Sequence, residues 1–112
     1  MNIISFDDFA QVELRSGTII QAKEFPKAKK PAYQIWADFG PEFGVKQTSA
    51  QVTVHYTPES LIGKKIIGCL NLGTKNIAGF VSEFLLTGFA DAAGAIHLAS
   101  VDEHIPNGQK LI

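Results

Sequence analysis

A chain of 112 residues with 46% hydrophobic and 19% charged side chains is the size of one domain and can bury a real core, which excludes the disordered class. No apolar run approaches the roughly 20 residues needed to cross a bilayer, and the acidic opening "MNIISFDDFAQVELR" lacks the features of a signal peptide, so a cytoplasmic protein is expected. Ten basic against eleven acidic side chains leave a net charge of −1, so any nucleic-acid contact must be weak, confined to a local patch, or made through bases and shape.

In chain order, "SFDDF" reads as a short helix capped by Ser5, with Asp7 and Asp8 complementing its dipole and Phe6 and Phe9 expected to face the core together. "VELRSGTIIQAKEF" is a β-branched strand with a bulge or bend predicted at Gly17, and it runs into the loop "PKAKKP". "YQIWADFG" alternates cleanly: Tyr33, Ile35, Ala37 and Phe39 share one face, Gln34, Trp36 and Asp38 the other. "VKQTSAQVTV" continues extended, with a helical turn expected around Gln51 to Tyr56. "TPESLIGKK" is a single helical turn, with Thr57 as cap, Pro58 at the first position and Gly63 to stop it.

"KIIGCLNL" is apolar on both faces, as a buried strand should be. "FVSEFLLTGF" is predicted as one further strand and "IHLASV" as another, joined by a flexible "DAAGA". The lone Cys69 cannot form an intramolecular disulfide and is read as a small buried core residue. Five to seven strands at turn spacings of about ten residues predict an all-β fold, a small barrel or sandwich. A helical insert between the third and fourth strands favours a five-stranded Greek-key barrel of the OB type, with residues 1–112 as one domain.

Several strands are apolar on both faces. Val81, Leu85 and Phe89 lie opposite Phe80, Phe84 and Leu86, Ile66 and Ile67 point to opposite sides, and Ile4, Leu111 and Ile112 add apolar ends. The surplus fits either extra core under the terminal segments or a two-fold homodimer interface, and the homodimer is favoured.

No metal, cofactor or catalytic centre is expected. His55, His97 and His104 are far apart in sequence and have no ligand spacing, "GFVSEF" is not a nucleophile motif, and "GTKNIAG" is not a phosphate loop. Lys27, Lys29 and Lys30 read as a solvated loop, or else as the phosphate-contacting edge of a ligand groove. Trp36 would stack a base or pack beneath a loop. The stretch "NLGTKNIAGFVSEF" gathers Asn71, Lys75, Ser82 and Glu83, and its chemistry leaves it open between a plain turn and a binding site. Because Ser82 and Glu83 are adjacent, they should point to opposite faces.

"ELRSGTI", "EFPKAKKPAY", "ADFG", "KQTSAQV", "PESLIGKKI" and "NLGTKNIAGFVSEFLLTG", in this order, resemble the tRNA-binding domain family, from about Phe6 to the C-terminus, and within it the branch described as secretion chaperones. The resemblance implies a non-enzymatic OB-fold homodimer with short N- and C-terminal extensions. It would hold unfolded or presecretory polypeptides or, alternatively, bind tRNA by shape and backbone contacts. By motif position it nominates Arg15, Lys46, Gln47, Asn71, Lys75, Ser82 and Glu83 as ligand-binding residues. Where relatives carry a proline and a second basic residue, this chain has "GTKN", which removes charge from the tRNA-facing segment. That departure places polypeptide holding first.

Overall fold

A computed structural model describes residues 1–112. The chain opens with α1 (Phe6–Ala10), then β1 (Leu14–Glu24), β2 (Tyr33–Asp38), β3 (Val45–Ala50), α2 (Pro58–Leu61) and β4 (Lys65–Cys69). Five short strands follow: β5 (Lys75–Ile77), β6 (Phe80–Ser82), β7 (Leu85–Leu86), β8 (Gly88–Ala90) and β9 (Ile96–Leu98). β1 pairs antiparallel with both β2 and β4, which places it at the centre of a five-stranded sheet ordered β3-β2-β1-β4-β7. The sheet curls into a nearly closed barrel, and β5–β6 and β8–β9 stand off it as hairpins.

The alternation in "YQIWADFG" decides the inside. Tyr33, Ile35, Ala37 and Phe39 are buried, and Gln34, Trp36 and Asp38 on the other face are half-buried. Ile19, Val52, Leu61, Ile66 and Phe84 complete the core, with Phe39 and Phe84 edge-to-face at 4.9 Å. The Phe39 ring lies where Gly17 and Gly68 leave room, since a Cβ on either would come within 2.7 Å of it. Gly17 is therefore a packing position. The predicted bulge lies further along, where the β1–β2 register shifts between Ile19 and Gln21.

α2 forms as its signals indicate. Thr57 and Ser60 make a reciprocal capping box and Pro58 opens the helix, which inserts the fully buried Leu61 into the core. Burying that side chain contributes about 1.5–3 kcal/mol.

Three expectations are corrected. No helix forms over Gln51 to Tyr56, where Thr53–His55 make only a turn. "FVSEFLLTGF" is three short strands, because the chain leaves a hairpin at Ser82, joins the barrel at Leu85 and enters a second hairpin at Gly88. Phe6 and Phe9 do not enter the core: Phe6 is 74% exposed, and α1 is held by its backbone, with Asn71 Nδ2 and Lys110 Nζ donating to the carbonyls of Gln11 and Ala10. The two-faced strands are as read, since Phe84 is buried while Val81, Leu85 and Phe89 are exposed.

The last gap in the barrel wall closes without a regular ladder. Glu83 N–H donates to the Gln47 carbonyl at 2.8 Å, and Thr48 Oγ1 donates to the Phe84 carbonyl at 2.7 Å. The C-terminal segment runs along the start of β1, where Ser16 Oγ donates to the Pro106 carbonyl and Arg15 bridges to Lys110.

Candidate functional site

The site is built by the β5–β6 hairpin. Ile77 pairs with Phe80, so Ala78 and Gly79 form a two-residue turn, both at positive φ (49° and 86°). That is the mirror-type turn whose twist suits a hairpin. Asn76 Oδ1 accepts from Gly79 N–H at 2.9 Å and fixes the turn. Phe80 anchors the hairpin edge-on to Phe25 (5.6 Å) and Trp36 (5.7 Å), so the Trp36 ring is packed beneath the hairpin. Lys75 and Asn76 therefore belong to a paired strand and not to the turn itself.

Between this hairpin, the Lys27–Lys30 loop and the end of β3 lies a cleft of about 1020 Å³. Its lining is mostly apolar, with Val52, Ile77, Leu86 and Ile96 among the aliphatic groups. Lys27, Lys29, Lys30 and Lys75 all border it, and no aspartate or glutamate does. Four ammonium groups around an apolar floor create a local positive potential that the net charge of −1 conceals. The only aromatic side chain in the lining is Phe84, which is buried.

Of the seven residues nominated from sequence, the cleft brings together Lys75 and Ser82, which are register partners across the hairpin. Ser82 Oγ accepts from Ser49 N–H at 2.9 Å and lies 3.3 Å from Ser49 Oγ, with no imidazole bonded to it. Glu83 Oε1 accepts from Gln47 N–H at 3.0 Å. The strand ends at Ser82, so two adjacent side chains both reach the edge of β3 despite the alternation expected of a continuous strand. Gln47 carries this contact further: its Nε2 donates to the Val81 carbonyl and its Oε1 accepts from Trp36 Nε1.

Asn71 lies elsewhere, with Oδ1 accepting from Glu13 N–H at 3.0 Å and Nδ2 donating to the Gln11 carbonyl at 2.7 Å. Arg15 donates to Glu13 and to the Gly108 carbonyl and lies 4.7 Å over the Phe43 ring. Lys46 is half-buried on β3 outside the cleft lining. Lys110, then Arg15, hold the Glu13 carboxyl below its usual range by direct hydrogen bonds.

One cluster escaped the sequence reading. His55 Nε2 and His97 Nε2 both meet Asp91 Oδ2, at 3.0 and 2.8 Å, although they come from separate segments of the chain. These contacts, His97 first, hold the Asp91 carboxyl well below the ordinary carboxylate range. The only local signal was His97 six positions after Asp91 across a tight turn; the proximity of His55 requires the fold.

The family described as "Putative tRNA binding domain" matches residues 14–110. The CsaA chaperone of Bacillus anthracis str. Ames is 42% identical, with a TM-score of 0.92 over 99% of this chain and all of that one. The CsaA chaperone protein of Picrophilus torridus is 37% identical, with a TM-score of 0.91 over 98% of this chain and all of that one. Among curated relatives, the methionine–tRNA ligase of Methanococcus aeolicus is 37% identical over 99% of this chain but only 16% of its own length. The chain thus spans about a sixth of the ligases it matches. It belongs to the tRNA-binding domain family and, within it, is similar over its whole length to the CsaA chaperones.

Proposed function

We propose that the protein is a non-enzymatic, cytoplasmic holder of unfolded or presecretory polypeptides, with the lysine-bordered cleft as its binding site. The observation that carries this reading is a largely aliphatic lining whose one aromatic side chain, Phe84, is buried. Aliphatic side chains of an extended chain find a place there to bury, whereas unstacked bases find no aromatic platform. The lysine border adds a preference for segments carrying acidic side chains and disfavours the basic start of a signal peptide. Capture needs no nucleotide hydrolysis, since binding an exposed segment withdraws it from aggregation by mass action. Full-length similarity to CsaA chaperones supports the same reading. The test is light scattering of a chemically denatured client diluted into buffer without ATP. Suppression at stoichiometric protein is expected, and unchanged aggregation at several-fold excess refutes the reading.

A second reading, tRNA binding, is favoured by one observation: four lysines and no carboxylate border the cleft. Contact would be to backbone phosphate and shape, as suits a site without stacking groups. Lys75 and Ser82 would touch either ligand, Gln47 and Glu83 would support the hairpin through their hydrogen bonds at the edge of β3, and Arg15, Lys46 and Asn71 would stay outside the contact. We assign the exposed apolar residues of the termini, Ile3, Ile4, Phe6, Leu111 and Ile112, to a homodimer interface. Sedimentation at micromolar concentration tests it, and a monomer refutes it.

A further inference from the structure

The geometry points to a divalent transition-metal site formed by His55, Asp91 and His97, with Zn²⁺ as its representative ion. One ligand atom from each of the three side chains lies within 4.8 Å of the other two, and the Nε2–Oδ2 separations are 2.8 and 3.0 Å. Tetrahedral ligands about 2.0–2.2 Å from an ion sit roughly 3.3–3.6 Å apart, so the three atoms need only spread by about half an ångström to surround one. Two imidazoles and one carboxylate suit Zn²⁺ and its first-row neighbours, whereas Ca²⁺ and Mg²⁺ take oxygen ligands.

The support around the ligands is already in place. Asp91 Oδ1 accepts from the N–H groups of Ala93 and Ala95, both at 3.0 Å, which fixes the carboxylate and leaves Oδ2 for the imidazoles. The two rings lie 4.2 Å apart at 34°, so both Nε2 edges address one point. The side chains are 38%, 32% and 52% exposed for His55, Asp91 and His97, so an ion can enter and water can complete its coordination. On binding, each neutral imidazole carries its proton on Nδ1 and offers the Nε2 lone pair, replacing the two hydrogen bonds to Asp91.

The site would act as a clip. Asp91 and His97 belong to the β8–β9 hairpin, and His55 to the turn after β3. Val52 and Ile96, each close in sequence to a ligand, both line the cleft wall. An ion would fasten the hairpin to the turn and fix that wall, whatever polymer occupies the cleft.

The test is calorimetric titration of the metal-free full chain with ZnCl₂ alone. One ion per chain is expected at micromolar or tighter affinity, weakened by more than about ten-fold in His55→Ala and in His97→Ala and unchanged in His104→Ala. At about ten times the dissociation constant, Zn²⁺ should raise the Tm of the wild type by roughly 5 °C or more. On unmodified protein, Zn²⁺ should shift the ring resonances of His55 and His97 and leave those of His104 in place, a measurement that stands even where a variant fails to fold. No binding up to millimolar Zn²⁺, or binding that survives with His55→Ala and His97→Ala combined in one chain, or ring shifts confined to His104, overturns the proposal.

Discussion

Glu83 and Gln47 exchange two hydrogen bonds across the seam of the barrel, the Glu83 N–H to the Gln47 carbonyl at 2.8 Å and the Gln47 N–H to Glu83 Oε1 at 3.0 Å. A side-chain oxygen thus stands where a partner strand's carbonyl would be, and it covers an edge donor of β3. Glu83→Ala should destabilise the fold by about 1 kcal/mol, because the Gln47 N–H loses its acceptor. Glu83→Gln, which keeps the acceptor, should lose less than half of that in urea denaturation.

Asn71 is predicted to act on stability and not on ligand. Both ends of its side-chain amide bond backbone groups of Gln11 and Glu13, which fasten the end of α1 to the exit of β4. Asn71→Ala should lower stability by about 1–2 kcal/mol. Affinity for peptide or tRNA, measured well below the new Tm, should stay within two-fold of wild type; a larger loss would place Asn71 in the binding surface.

The four cleft lysines offer a test that separates the two ligands. If tRNA binds there, log Kd plotted against log salt should be steep, and each Lys→Ala at 27, 29, 30 or 75 should flatten the slope by up to about 1. If an apolar polypeptide binds there, the same variants should weaken acidic peptides and spare neutral ones. A tRNA affinity indifferent to salt would count against phosphate contact altogether.

Glu13 gives the fold an acid limb. Its carboxyl is held low by Lys110 and Arg15, so the folded chain takes up that proton less readily than the unfolded chain. The stabilisation is complete above the unfolded glutamate value of about 4.3 and is lost as pH falls below it toward the folded value. Glu13→Gln should therefore be less stable than wild type at pH 7, and the stability difference should shrink as the pH falls below the unfolded glutamate value.

Ala78 is the one non-glycine residue at positive φ, in a turn where asparagine is favoured. Ala78→Asn should stabilise the chain by about 0.5–1 kcal/mol by removing local strain. A loss of stability would show that the turn depends on the small side chain.

What the sequence determined by itself was everything set by near neighbours. The period-2 run from Tyr33 to Phe39 fixed which face is inside, and Ser5, Thr57 and Pro58 placed the helix starts, because a cap needs only the residues that follow it. Apolar residues on both faces near Leu85 and Phe89 announced surface that the barrel leaves uncovered. The family motifs carried the barrel topology as well.

Only the tertiary structure decided which polar groups meet. Lys27, Lys29 and Lys30 read as a solvated loop or as the edge of a ligand groove, and only the fold places them with Lys75 on one cleft. Asn71, Ser82 and Glu83 read as ligand groups, and each bonds a backbone group more than thirty positions away. His55 and His97 were set aside for their distance in sequence, yet they share one carboxylate oxygen. The physical reason is the same in each case. Burial patterns repeat along a strand and can be read locally, whereas a hydrogen-bond partner or a shared ligand point depends on where two distant strands and their turns come to rest.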